Sequence, residues 1–108
     1  MGNPIRHYQI SMNAYHHPNY IKSLTSRFNN ALRYAKRDAV QWATNDPKGM
    51  FFLGKPSAEK RIQEHLEKAK MALQEARDTG HFSDEEMHTW IQQFADISRH
   101  AEDQLNLR

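Results

Sequence analysis

Two hydrophobic periods divide this chain. Over residues 8–14, Tyr8, Ile10, Met12 and Ala14 alternate with Gln9, Ser11 and Asn13, which is the two-residue period of a strand with one buried face. From Ile21 onward the spacing changes to three and four. Ile21, Leu24, Phe28, Ala31, Leu32, Ala35, Ala39 and Trp42 form one apolar stripe, which predicts a helix over residues 19–44, roughly 37 Å long at ~1.5 Å per residue. Asn45-Asp46-Pro47-Lys48-Gly49 is a turn sequence that ends it.

The pattern then predicts two more helices. Ser57 is the expected N-cap of the second, with Ile62, Leu66, Ala69, Leu73 and Ala76 as its apolar face and Gly80 at its C′ position. The boundary of the third is sharper. Ser83 and Glu86 have the S-x-x-E spacing of a capping box, and Phe82 and Met87 have that of a hydrophobic staple. Met87, Trp90, Ile91, Phe94, Ile97, Ala101 and Leu105 supply its inward face. The short connection at residues 79–83 makes helices two and three an antiparallel hairpin. The expected fold is mainly α: a three-helix domain over residues 20–108, preceded by an extended or β-like arm over residues 1–19.

A strand needs a partner for its backbone groups. Residues 50–53, Met-Phe-Phe-Leu, could pair with the arm in parallel through the long helical crossover. An exposed edge could instead recruit a strand from another chain, or the arm could pack on the bundle without a ladder. Under each reading Phe51 and Phe52 point in different directions, so one of them is a candidate anchor for a partner.

Composition narrows the class. At 108 residues, with 38% hydrophobic and 26% charged residues, the chain suits one globular domain rather than a disordered segment. It has no cysteine, which removes disulfides and thiolate chemistry. Its longest apolar run, residues 50–53, is far too short to span a bilayer. Residues 1–20 carry Arg6, three histidines and two prolines rather than an apolar secretion core, and Arg6 stands where N-myristoylation wants Ser or Thr. A cytoplasmic location without membrane association is therefore the expectation.

Charge is unevenly distributed within a net of +2. Residues 1–56 hold eight Lys or Arg against two Asp, whereas residues 57–108 hold seven against eleven Asp or Glu. At 100° per residue, Lys22, Asn29, Arg33, Lys36 and Arg37 share one arc of helix one, opposite its apolar stripe. This arc suits phosphate contacts, although a solvated helix face has the same appearance. Tyr20 and Tyr34 could stack on bases, but they flank the apolar stripe and read as core rim. Glu64, Glu67, Glu75 and Asp78 are expected on the outer side of helix two, and Glu85, Asp96 and Asp103 on that of helix three, giving a dipolar exterior. Lys60–Glu64 and Glu64–Lys68 have the i,i+4 spacing of ordinary helix-surface pairs.

Candidate chemistry is sparse. The seven histidines include a single E-x-x-H, Glu85 to His88, whereas a di-iron bundle needs two such motifs and further glutamates. There is no H-E-x-x-H, no phosphate-binding glycine loop and no nucleophile elbow, and Glu64–His65 reads as helix surface. Neither metal nor cofactor is expected, nor catalysis. The sequence points to an adaptor, regulator or inhibitor that binds a larger protein, such as one in a nucleic-acid-handling complex, through Tyr8, Ile10, Met12, Phe51, Phe52 and the acidic residues Glu64, Glu67, Glu75 and Asp78. Direct nucleic-acid binding through Lys22, Asn29, Arg33, Lys36 and Arg37 is one alternative, and a homodimer or larger homo-oligomer is another.

Overall fold

The computed structural model describes residues 18–44 and 54–107. They form three helices: α1 (Pro18–Thr44), α2 (Lys55–Thr79) and α3 (Asp84–Leu105). The expected strand at residues 8–14, with Tyr8, Ile10 and Met12, and the 50–53 segment with Phe51 and Phe52 lie outside the described residues.

Cross-helix contacts fix the directions. Tyr20 and Arg27, early in α1, reach Glu75 late in α2, whereas Asp38, late in α1, reaches Arg61 and His65. Phe28 stacks on Trp90 near the start of α3, and Trp42 Nε1 donates to the Leu105 carbonyl at its end (3.4 Å). Lys55 Nζ at the start of α2 donates to Asn106 Oδ1 just past α3 (3.3 Å). The chain therefore runs up, down and up, and the α2–α3 hairpin is antiparallel.

Apart from Ile21, which is only half-buried and outside the core, the predicted stripes of α1 and α2 form the core. Leu24, Phe28, Ala31, Leu32, Ala35, Ala39 and Trp42 from α1 are buried with Ile62, Leu66, Ala69, Leu73 and Ala76 from α2. Ala58 and Ala72 join them. With so many alanines facing each other, α1 and α2 pack closely, and theirs is the most extensive helix pairing. Only Trp90, Ala101 and Leu105 of α3 are buried, while Met87, Phe94 and Ile97 pack on the core from its edge. Trp90 fixes α3 in place. Its ring stacks on Phe28 with centroids 4.5 Å apart and planes within 8°, and the Phe82 ring lies tilted against it with centroids 4.9 Å apart. Such aromatic pairs add to area burial.

Local signals set the helix ends, with one correction. Ser83 Oγ accepts from Glu86 N–H (3.1 Å), and Glu86 Oε1 accepts from Ser83 N–H (3.0 Å), which completes the capping box. Gly80 adopts the left-handed conformation (φ 66°) and its N–H bonds to Arg77 O. Ser57, however, does not cap α2. Gly54 does, at φ 153°, with Pro56 in the first turn and Ala58 N–H closing back to Gly54 O at 3.1 Å. Proline is well tolerated there because its missing N–H would have had no intrahelical acceptor, so the helix starts ahead of Ser57. Ile91 is a second correction. It was expected on the inward face of α3 but is 41% exposed, since α3 meets the other helices along a narrower stripe than predicted.

Candidate functional site

The outer face of α1 is the most coherent polar surface of the described residues. Lys22, Asn29, Arg33, Lys36 and Arg37 are all exposed, as the helical period predicts. The only carboxylate on this helix, Asp38, is fully buried on the side facing α2. Lys22 and Lys36 have no ion-pair partner among the described residues. Arg33 Nη2 donates to Asn30 Oδ1 (3.1 Å).

Asp38 was not singled out by sequence reasoning, yet it organises the α1–α2 side. Its Oδ1 accepts from Arg37 Nε and lies 3.2 Å from Arg37 Nη2. Its Oδ2 lies 3.1 Å from His65 Nε2 and 3.7 Å from Arg61 Nε. A carboxylate withdrawn from water persists only with such partners. His65, expected as helix surface, is in fact half-buried and drawn inward by this contact. A charged residue next to an apolar stripe carries no sequence sign of which way it turns, so the cluster could not be read from spacing.

A groove of about 450 Å³ lies along the same side, lined by Arg27, Asn30, Tyr34, His65, Lys68 and Met71 with Ala31 and Ala72. Tyr34 stands at its edge, 37% exposed, with the Arg37 and Arg33 guanidinium carbons 4.8 and 5.5 Å from its ring centroid. These are cation–π distances. His65 lies 5.7 Å from the same ring. On the opposite flank, Asn29, Arg33 and Lys36 border a shallower groove of about 280 Å³ with Leu32, Gln93 and Ile97. The basic face of α1 is thus a ridge between two grooves. Lys68 and Arg61 extend it onto α2, two cations that a helix-by-helix projection assigns to a separate element.

Of the acidic residues expected on the outer side of α2, Glu64, Glu67 and Asp78 are exposed, and Glu75 is the exception. Glu75 turns toward α1, where it accepts from Tyr20 Oη and from Arg27 Nη2 (2.8 Å). The Tyr20 hydrogen bond, followed by the charge and hydrogen bond of Arg27, holds its carboxyl below the usual range despite partial burial. Glu67 borders a groove between α2 and α3 with Glu59, Lys70 and Glu102. Glu64 and Asp78 are exposed, and Glu64 makes neither of its expected i,i+4 ion pairs among the described residues. As a whole α2 holds six Lys or Arg against five Asp or Glu, so it is not an acidic helix. The negative charge collects on α3, which has six Asp or Glu and only Arg99. Part of that is structural: Asp84, Glu85 and Glu86 occupy the first turn, where the helix dipole favours them.

Among the described residues, no three His, Asp or Glu side chains converge as a metal-ligand group. No described helix is long and apolar enough to cross a membrane. Comparison with protein-family models, with curated proteins and with solved structures gives no match. The functional reading therefore rests on geometry.

Proposed function

We propose that the chain is a small interaction module, not an enzyme, that docks on a larger, negatively charged partner through the basic ridge of α1. One observation carries the reading. The exposed arc from Lys22 through Asn29, Arg33 and Lys36 to Arg37 contains no carboxylate, because the helix's single acid is turned into the interior. Exposed cations on a rigid helix add affinity and speed encounter with a complementary anionic surface. This shifts emphasis from the acidic residues expected as the partner surface to the basic ones, since Glu75 is engaged internally and Glu67 faces another groove. Adaptor, regulator and inhibitor roles are all compatible with such a module.

The test is affinity capture from the native host with nuclease added or omitted, comparing the wild type with a Lys22→Ala/Arg33→Ala/Lys36→Ala variant. All three side chains are exposed, so folding should survive. The variant should lose the captured partner, and a Glu64→Gln/Asp78→Asn control should keep it. Retention by the triple variant would end the reading. A partner lost only when nuclease is added is bridged by nucleic acid, whereas one that persists is a protein. A homo-oligomer that seats the acidic α3 of one copy on the basic α1 of another would appear as a mass that rises with concentration and falls with salt in sedimentation.

A further inference from the structure

The groove between α1 and α2 has features that a solvated helix face lacks. Ala31, Met71 and Ala72 give it an apolar lining, and Tyr34 and His65 stand beside them as two rings 5.7 Å apart. Lys68, exposed and without an ion-pair partner among the described residues, lies on its α2 side, and Arg33 and Arg37 flank the tyrosine ring. The buried Asp38 carboxylate holds Arg37, Arg61 and His65 against the helices, so the wall is arranged before any ligand arrives. Arg27 is committed to Glu75 and is the least free of these cations.

An apolar slot with an aromatic edge and a cationic rim fits a flat, uncharged ring attached to phosphate. We propose that this groove is a nucleotide subsite: it takes an unpaired base of a single-stranded nucleic acid, stacked on Tyr34, with a flanking phosphate on Lys68. This rests on the basic ridge being the docking surface, and it specifies what that surface holds. A polymer is favoured over a free nucleotide because the cations continue past the groove. Lys22 and Arg37 are about 22 Å apart along α1, several times the length of one nucleotide. A single strand is favoured over a duplex because only an unpaired base can leave its stack to enter a groove of this kind.

The experiment is fluorescence anisotropy with a labelled mixed-sequence single strand of about ten nucleotides, repeated with the corresponding duplex and with labelled polyglutamate. The single strand should bind best. Tyr34→Ala should weaken it roughly tenfold, the scale of one lost base stack, without changing the dependence on salt. Lys68→Ala should instead reduce the slope of log affinity against log salt by about 0.7, the value for one single-strand phosphate. Met71→Glu, at a side chain 61% exposed, should block the groove by size and charge, and it gives a second reading should Tyr34→Ala disturb the fold. If Tyr34→Ala and Met71→Glu bind the strand like the wild type while the Lys22/Arg33/Lys36 triple alanine variant does not, the subsite is wrong and the ridge stands. Equal binding of polyglutamate would make the partner an acidic protein surface and would also overturn the subsite. If neither the strand, the duplex nor polyglutamate binds at low salt, the ridge and the subsite both fall.

Discussion

Asp38 shows how the two sides of one ion cluster can carry unequal costs depending on which is removed. Its three cationic neighbours are not equally committed: the Arg37 and Arg61 side chains are 42% and 45% exposed, so water can receive them if the carboxylate disappears. Asp38→Ala should therefore cost only about 2 kcal/mol, the range for a lost charged hydrogen-bond set. Removing the cations is worse, because it strands a buried charge. Arg37→Leu/Arg61→Leu/His65→Leu should cost about 3–5 kcal/mol. Urea unfolding of both variants checks the order, and equal costs would show that the carboxylate is better hydrated than its burial indicates. Glu75 yields a pH prediction. Its folded-state pKa lies below the ordinary value, with Tyr20 the largest cause. Its contribution is therefore present above the usual carboxylate range and is lost as pH falls through the depressed folded value. Tyr20→Phe should lower the Tm at neutral pH, and the gap from wild type should close as pH falls from neutral to below the usual carboxylate range. A gap that stayed constant across that interval would mean the tyrosine acts by packing alone.

The helices differ in how they are terminated, and the caps can be tested one at a time. Ser83→Ala removes the acceptor for Glu86 N–H and should cost about 1 kcal/mol by thermal or chemical denaturation. The serine hydrogen bonds also hold the Glu86 carboxyl below its usual range, the backbone one being the largest cause, so acid should weaken this cap, and the variant, which keeps that backbone N–H, should retain most of the pH dependence. At Gly80 a Cβ would meet nothing within 4 Å. Any cost of Gly80→Ala is conformational, about 1–2 kcal/mol for a left-handed residue, and Gly80→Asn should cost less because asparagine tolerates that region. The start of α2 marks the limit of cap reading. A serine ahead of an apolar run is a good N-cap signal, but Gly54 and Pro56 upstream form an equally good start, and the helix takes the longer option.

For the molecule as a whole, the up-down-up bundle depends on α1, which supplies stripe residues to both other helices. Phe28 is the keystone, being fully buried and stacked on Trp90. Phe28→Ala should cost about 3–5 kcal/mol and release the Trp90 environment, which tryptophan fluorescence and chemical denaturation would report together. α3 has fewer fully buried side chains than either partner, so its amides should exchange with solvent at lower opening free energies than those of α1 and α2. Uniform protection across the three helices would show that α3 is as firmly held as the rest. The exterior is dipolar in a coarser way than expected, with a basic α1, a near-neutral α2 and an acidic α3. Charge-driven docking on the ridge should fall steeply between about 50 and 200 mM salt.

Periodicity alone gave the three helices of the described residues, most of their buried residues and the outward set Lys22, Asn29, Arg33, Lys36 and Arg37, because a side chain's angle on a helix follows from its position. The capping box and Gly80 were equally legible, since their bonds join residues a few positions apart. Tertiary packing decided what lies between helices. Asp38 turned inward onto Arg61 and His65, Glu75 left the acidic surface for Tyr20 and Arg27, and Lys68 and Tyr34 came together across one groove. These residues are separated by tens of positions, and which edge of one helix meets which edge of another depends on how alanines and aromatics interlock. No local period encodes that.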